Sequence, residues 1–247
     1  LRCARWNLLH PQSEPRRSYL ESTLEDERGV FVAVSDFMKL VPDQIAPWVP
    51  GGLVTLARTD SAPLDRLARS MLYWSTNLTA EAIGLRACQA RGGKPGDIAD
   101  SARAMTEWLR ATHGLSGSHF TNHSGLTDET RISAREMVQV LHNAADGPFS
   151  ALLKDFRVLD ARGNIADTGG AEVVAKTGTL HFTRGLAGYI RGARGQKLAF
   201  AIFAADLEAR TRHAGLDRPP GARRWRGVAK RQEQALLRSW IERYARA

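Results

Sequence analysis

Lysine, cysteine and long apolar runs are all scarce in this sequence, and each shortage removes a class of function. Only six of the 35 basic residues are lysine, and the arginines are scattered through every segment, so the net charge of +9 does not describe one binding stripe. The densest basic run, "RPPGARRWRGVAKR" over 218–231, could meet an acidic polymer, but no nucleic-acid-binding motif accompanies it, and no nucleic-acid partner is expected. The two cysteines, Cys3 and Cys88, lack C-x-x-C spacing and cannot hold a metal by themselves. The longest apolar stretch, "LAFAIFAA" over 198–205, falls far short of the roughly 20 residues that span a bilayer. HExxH is also missing. The segment "THGLSGSHFTNHSG" offers His113, His119 and His123 without an acidic ligand at helical spacing, so these read as loop histidines, and neither metal nor cofactor is expected.

What remains is an ordinary globular composition, with 43% hydrophobic and 25% charged residues over 247 positions. The sequence begins at Leu1 with no basic-then-apolar leader, and is read as a piece of a longer protein. Residues 1–30 are polar and charge-mixed, as in a linker or the tail of a preceding region. "VFVAVSDF" (30–37) and "GLVTLAR" (52–58) read as short strands around a Pro-punctuated segment. From Asp60 the period changes to helical, with Leu64, Leu67, Ala68, Met71 and Leu72 on one face. Further helices are predicted over about 79–91 and 97–113, the latter stopped by Gly114, and a capping box in "SARE" (133–136) opens a fourth. "EVVAKTGTL", "LAGYIRGA" and "KLAFAIFAA" then read as an antiparallel meander. A closing amphipathic helix carrying Leu236, Leu237, Trp240, Ile241 and Tyr244 would lie on that sheet.

The strand "EVVAKTGTL" poses a question. Period-two alternation places Lys176 on the face of Val174 and Leu180, with Thr177 and Thr179 on the other. An ammonium on an apolar face either snorkels to an edge or meets an anion, because burying it alone costs several kcal/mol. Ser75-Thr76-Asn77, an S-x-N tripeptide, falls between two predicted helices, and is weak evidence alone. K-T-G at 176–178 on a strand is stronger. S-x-N followed by K-T-G is two thirds of the S-x-x-K, S-D-N, K-T-G set of penicillin-recognising serine acyltransferases.

With their flanks, "ARTDSAPLDRLARSMLYWSTNLTAEAIGL", "NHSGLTDETRISAREMVQVL" and "VVAKTGTLHFTRGLAGYIRGARGQKLAFAIF" resemble the D-Ala-D-Ala carboxypeptidase/endopeptidase family of low-molecular-mass penicillin-binding proteins, peptidase family S13, over about residues 50–206. The resemblance implies an α/β (α+β) fold of the beta-lactamase/transpeptidase type, an antiparallel sheet flanked by helices. It implies a serine-type peptidase that removes the terminal D-Ala of peptidoglycan stem peptides, or cuts their cross-links, through an acyl-serine intermediate. Beta-lactam antibiotics would acylate the same serine. Residue by residue, Ser75 would relay a proton to the leaving amine, Asn77 would bond the substrate amide and Lys176 would supply positive field. Thr177 and Thr179 would bind the terminal carboxylate, Gly178 would leave room for the peptide, and the Thr179 N–H would be half of an oxyanion hole. The setting would be periplasmic, with peripheral association with the cell envelope.

Two departures accompany the resemblance. The loop that in the family begins with Asp reads Asn122-His123-Ser124-Gly125 here, so a carboxylate has become an amide. No S-x-x-K exists, since the residues three before the lysines are Asp36, Arg91, Ala151, Val173, Arg194 and Gly227. The expected architecture is therefore a domain lacking its N-terminal portion, with residues 1–50 the end of an inserted region or linker and 51–247 the C-terminal part of the catalytic domain. The isolated chain is expected to be inactive. A non-catalytic cell-wall-binding relative, or a serine beta-lactamase or esterase on the same fold, would carry the same two motifs.

Overall fold

A computed structural model of the chain describes residues 6–7, 9–17, 19–27, 31–33, 49, 53–55 and 61–246. The chain divides into two compact units, Leu1–Leu64 and Asp65–Ala247. In the first, a short helix α1 (Tyr19–Leu24) precedes strands β1 (Phe31–Ala33) and β2 (Leu53–Thr55), which pair in parallel with Phe31 opposite Leu53. The ends of the two strands expected over 30–37 and 52–58, and the Pro-punctuated segment between them, lie largely outside the described residues.

The second unit begins with helices α2 (Leu64–Trp74), α3 (Asn77–Ala90) and α4 (Ile98–His113). Asp97 caps α4 by accepting a bond from Asp100 N at 2.8 Å, and Gly114 ends it in the left-handed region at φ 66°. Helix α5 (Ala134–Asn143) opens on the expected capping box: Ser133 Oγ accepts from Glu136 N, and Glu136 Oε2 accepts from Ser133 N. A four-residue helix α6 (Phe149–Leu152) leads into a two-residue strand β3 (Lys154–Asp155). Strands β4 (Glu172–Leu180), β5 (Thr183–Arg191) and β6 (Lys197–Ala205) follow as the expected meander, and the antiparallel sheet has the order β3-β4-β5-β6. A short helix α7 (Leu207–Arg212) precedes the long closing helix α8 (Ala222–Trp240), which winds into a π-helical turn over Ile241–Ala245.

Alternation along β4 explains why it is buried on both faces at its start. Val173 and Ala175 join Leu186, Ile190, Phe200, Leu237 and Ile241 in a core between the sheet and α8. Val174, from the opposite face, packs with Tyr189, Leu141 and Leu153 under α5 and α6. The sheet is thus the middle layer of the unit. The closing helix does lie on it, but Leu236 and Tyr244, expected to face inward, are 41% and 52% exposed. The π-turn shifts the register after Trp240, so that Ile241 and Ala245 take the buried positions and Tyr244 is turned out. Leu64, expected on an apolar face, sits in the first turn of its helix and is exposed as well, as is Ile98 in the first turn of α4.

Tyr189 ties two of the layers together. It is fully buried, and its hydroxyl donates to the carbonyl of Leu141 at 2.6 Å. Tyr189→Phe keeps the packing and removes one buried hydrogen bond, so it should cost about 1 kcal/mol and lower the melting temperature by roughly 2–4 °C. Calorimetry checks this; an unchanged transition would mean that the bond contributes nothing net.

Candidate active site

The site is built where α2 gives way to α3 beside the outer half of β4. Helix α2 stops at Trp74 because Ser75 adopts a left-handed conformation with φ 56°, and Thr76 N closes back onto Met71 O at 3.3 Å. That six-to-one closure is the Schellman arrangement, whose left-handed position is normally glycine. Here a serine holds it at a cost of about 1 kcal/mol or more. Thr76 then serves as N-cap of α3, without a side-chain cap bond, and Asn77 is its first residue. The S-x-N motif is therefore a helix-to-helix reversal with Ser75 at its apex.

Lys176 reaches that apex. Its Nζ donates to Ser75 Oγ and, at 2.7 Å, to the carbonyl of Thr177. The lysine lies on the Val174 face, as alternation requires, and is half-buried. Burial pushes its pKa below 10.5. Its position on the apolar side is thus explained by a serine hydroxyl and a backbone carbonyl that receive the ammonium where the apolar core ends.

Backbone directions on β4 follow from the register. Phe156 N donates to Val173 O at 2.8 Å, and strand β3 pairs Lys154 with Ala175, so the odd-numbered residues of β4 point their N–H and C=O groups away from β5. The pairing of β4 with β5 runs unbroken from Glu172 to Leu180. Strand β3 covers this edge only as far as Ala175. Among the described residues Thr179 therefore presents its backbone N–H and C=O, and Thr177 its N–H, on an open edge, with the Thr177 carbonyl receiving Lys176 Nζ there; both residues are exposed, as is Gly178. A Cβ built on Gly178 would meet nothing within 4 Å. Among the described residues no packing demands glycine there, but a ligand lying on that edge would.

The expected residues are not all joined by bonds. Ser75, Lys176 and Thr177 meet directly, whereas the exposed side chain of Asn77 makes no hydrogen bond among the described residues. Thr179 Oγ1 accepts a bond at 3.0 Å from Arg184, whose Nε is paired with Glu233 at 2.7 Å; both charged side chains are buried. Sequence reasoning missed this pair. The signal was available in part, since a meander places position 184 opposite 179, but Glu233 arrives from a distant helix.

The loop before α5 is also held from a distance. Glu81 of α3 accepts from His123 N and Ser124 N, both at 3.0 Å, while Asn122 Oδ1 accepts from Gly125 N at 3.0 Å. A carboxylate thus grips the loop from outside it, and Asn122 supplies an acceptor within it. His123 donates to or accepts from Ser101 Oγ at 3.0 Å. Its ring lies so close to Gly84 that any Cβ there would stand 2.1 Å from it. Burial lowers the His123 pKa, opposed by the charge of Glu81. The other two histidines are elsewhere: His113 beside Asn143, and His119 in a backbone bridge to Arg131.

Two consequences are measurable. Ser75→Gly should relieve the left-handed strain and raise stability by about 1 kcal/mol, while Ser75→Ala should give no such gain. Urea unfolding of both variants tests this; equal midpoints would mean that Ser75 is unstrained. For Lys176, the unfolded chain holds a proton that the folded chain releases between the lowered pKa and 10.5, so this group makes stability rise with pH across that window. The difference in urea midpoint between the native chain and Lys176→Met should shift in favour of the native chain as the pH is raised toward 10.5. A difference that stays flat with pH would contradict the depressed lysine.

Comparisons with known proteins agree on the fold and the family, and add a second likeness. The chain is 31% identical over 173 residues to carboxypeptidase DacB of Mycolicibacterium smegmatis, covering 63% of this chain and 37% of that protein. It is also 34% identical over 101 residues to the pyruvate dehydrogenase E1 component of the same organism, covering 41% of this chain and 11% of the enzyme. The chain therefore spans well under half the length of the curated relatives that it matches. Among solved structures, a penicillin G-acylated predatory endopeptidase from Bdellovibrio bacteriovorus, in complex with an immunity protein, superposes with a TM-score of 0.51 at 16% identity, covering 92% of this chain and 64% of that one. That likeness carries the fold alone. Sequence carries the kinship: the profile described as D-Ala-D-Ala carboxypeptidase 3 (S13) family matches residues 43–219, and the chain belongs to that family.

Proposed function

We propose that this chain forms the relay and peptide-binding half of a serine-type DD-peptidase site, acting on D-Ala-D-Ala stem peptides of peptidoglycan in the periplasm and acylated by beta-lactams. The observation that carries this reading is the Lys176–Ser75 hydrogen bond beside the open edge of β4. A peptide adding to that edge pairs with the N–H and C=O groups of Thr177 and Thr179, over a glycine that leaves the approach clear. Its terminal carboxylate falls within the field of Lys176 and the hydroxyls of Thr177 and Thr179. Ser75 Oγ, already bonded to an ammonium, is placed to hand a proton to the leaving amine, and the Thr179 N–H is available to the developing oxyanion. Asn77, exposed in the first turn of α3, is free to bond the substrate amide.

The attacking serine is the missing part. With no S-x-x-K in the sequence, the nucleophile and its lysine base belong to a segment outside this chain, and the other half of the oxyanion hole with them. Trp74 and Leu78, which flank Ser75, are 71% and 41% exposed, as suits side chains that such a segment covers. In this reading residues 51–247 are the C-terminal part of the catalytic domain and 1–50 the end of an insertion. The family match from residue 43 supports the former. Peripheral contact with the cell envelope follows from the substrate. The likeness to 11% of pyruvate dehydrogenase E1 is too small a share of that enzyme to bring its activity here.

Intact-mass analysis after incubation with penicillin tests the proposal. The chain as it stands should gain no covalent adduct. A version extended upstream through a segment carrying S-x-x-K should be acylated stoichiometrically, and lose the adduct when that serine becomes alanine. Lys176→Ala in the extended form should slow acylation by roughly 10²–10⁴-fold, the usual worth of a positioned proton-transfer group. An adduct on the unextended chain would falsify the relay role of Ser75 by making another residue the nucleophile.

A further inference from the structure

On the α8 face of the sheet, opposite to the Ser75–Lys176 contact, a cavity of about 460 Å³ is lined by Thr179, Arg184, Arg223, Arg226, Gly227 and Lys230. Its charge is unbalanced. Arg184 is matched by Glu233, but Arg223, Arg226 and Lys230 form no ion pair or side-chain hydrogen bond among the described residues. These three stand at helical spacings of three and four on α8, so they share one wall and span about 10 Å along it. A solvated basic face would have the same spacing but no floor. Here the floor is a buried guanidinium held in one orientation by Glu233 and Thr179, with its remaining N–H groups unused among the described residues.

Gly227 supplies an independent observation. It sits inside α8, where glycine weakens a helix relative to alanine. A Cβ there would meet only Arg231 Nη1, at 3.7 Å. No packing among the described residues asks for glycine, yet this residue forms the cavity wall between Arg223, Arg226 and Lys230. A side chain would occupy the space among the cations.

We propose that this cavity is a phosphoryl-binding site, taking a phosphate monoester or inorganic phosphate between the Arg184 floor and the Arg223–Arg226–Lys230 wall. Three uncompensated cations call for more than one negative charge. A carboxylate is planar and singly charged, whereas a phosphate dianion offers oxygens in several directions to guanidinium forks that arrive from β5 and α8. The cavity shares Thr179 with the peptidase reading but draws its charge from Arg184, Arg223, Arg226 and Lys230, to which that reading gives no role, so its test does not depend on that reading.

Equilibrium dialysis of the full chain with radiolabelled inorganic phosphate, against acetate at equal ionic strength, is the first arm. Saturable phosphate binding is expected, with acetate competing poorly. Arg226→Gln with Lys230→Gln should weaken it at least about tenfold, as loss of charge-assisted bonds does. Arg66→Gln with Arg135→Gln, which removes equal charge from exposed helical positions outside the cavity, should leave it unchanged. In the second arm, phosphatidylcholine vesicles with about one fifth phosphatidic acid present the same monoester on a surface. Vesicle binding that inorganic phosphate displaces assigns the group to a lipid headgroup; phosphate binding without vesicle binding assigns it to a soluble compound. Acetate competing as well as phosphate, or the two double variants losing equally, would overturn the site.

Discussion

The candidate site depends on a property of backbone geometry: an antiparallel strand offers the hydrogen-bonding groups of alternate residues to alternate sides. On β4 the even-numbered residues are committed to β5 along the whole strand. The odd ones look to the other edge, where β3 serves Val173 and Ala175 and then ends. A longer β3 would have satisfied Thr177 and Thr179 and closed the edge. A shorter one would have left the core end of β4 open beside Val173 and Val174, where apolar side chains on both faces make an exposed edge an aggregation hazard. Two paired residues protect the buried half and leave the polar half available.

Side-chain alternation divides the same strand a second way. Lys176 is sent to the helical layer and Thr179 to the α8 layer, so groups three positions apart serve different faces. What the helical layer offers Lys176 is a serine held in a conformation that favours glycine. Ser75 bears backbone strain and Lys176 bears desolvation, and each lies at a place that the fold alone would fill more stably with another residue. Two local penalties that meet in one hydrogen bond, beside a glycine that packs against nothing, are better explained by chemistry than by folding.

Much of this was legible because it is local. The capping residues Asp97, Gly114 and the Ser133–Glu136 box are encoded within four residues of the ends that they stabilise, and the meander is written in three apolar runs with short turns. Lys176 was visible as an anomaly in a period-two pattern. Other features were invisible because their partners are far apart in sequence. The carboxylate of Glu81 that holds the His123 loop is more than forty residues away, and Gly84 is explained only by a histidine ring that no helical pattern reveals. Tyr244 was misplaced for a different reason: a single π-turn slips the register, and a 3.6-residue period carried past Trp240 points the wrong side chain inward, whereas Leu236, upstream of that turn, stands just off the buried stripe of Glu233 and Leu237. Strand β3 is too short for any pattern at all.

The Arg184–Glu233 pair shows why the threonine hydroxyl of a strand edge can depend on a helix behind the sheet. The pair is buried, so its attraction is largely offset by the cost of taking both charges out of water, and its contribution to stability is modest. Losing one partner is another matter, because the other would remain charged in a dry place. The guanidinium is therefore fixed by necessity rather than by strength, and with it the donor that meets Thr179 Oγ1. A hydroxyl whose acceptor side is occupied in this way keeps its own proton for the open face of the strand. Position along β4 decides where Thr179 stands, but a charge anchored on α8 decides which way its hydroxyl can donate.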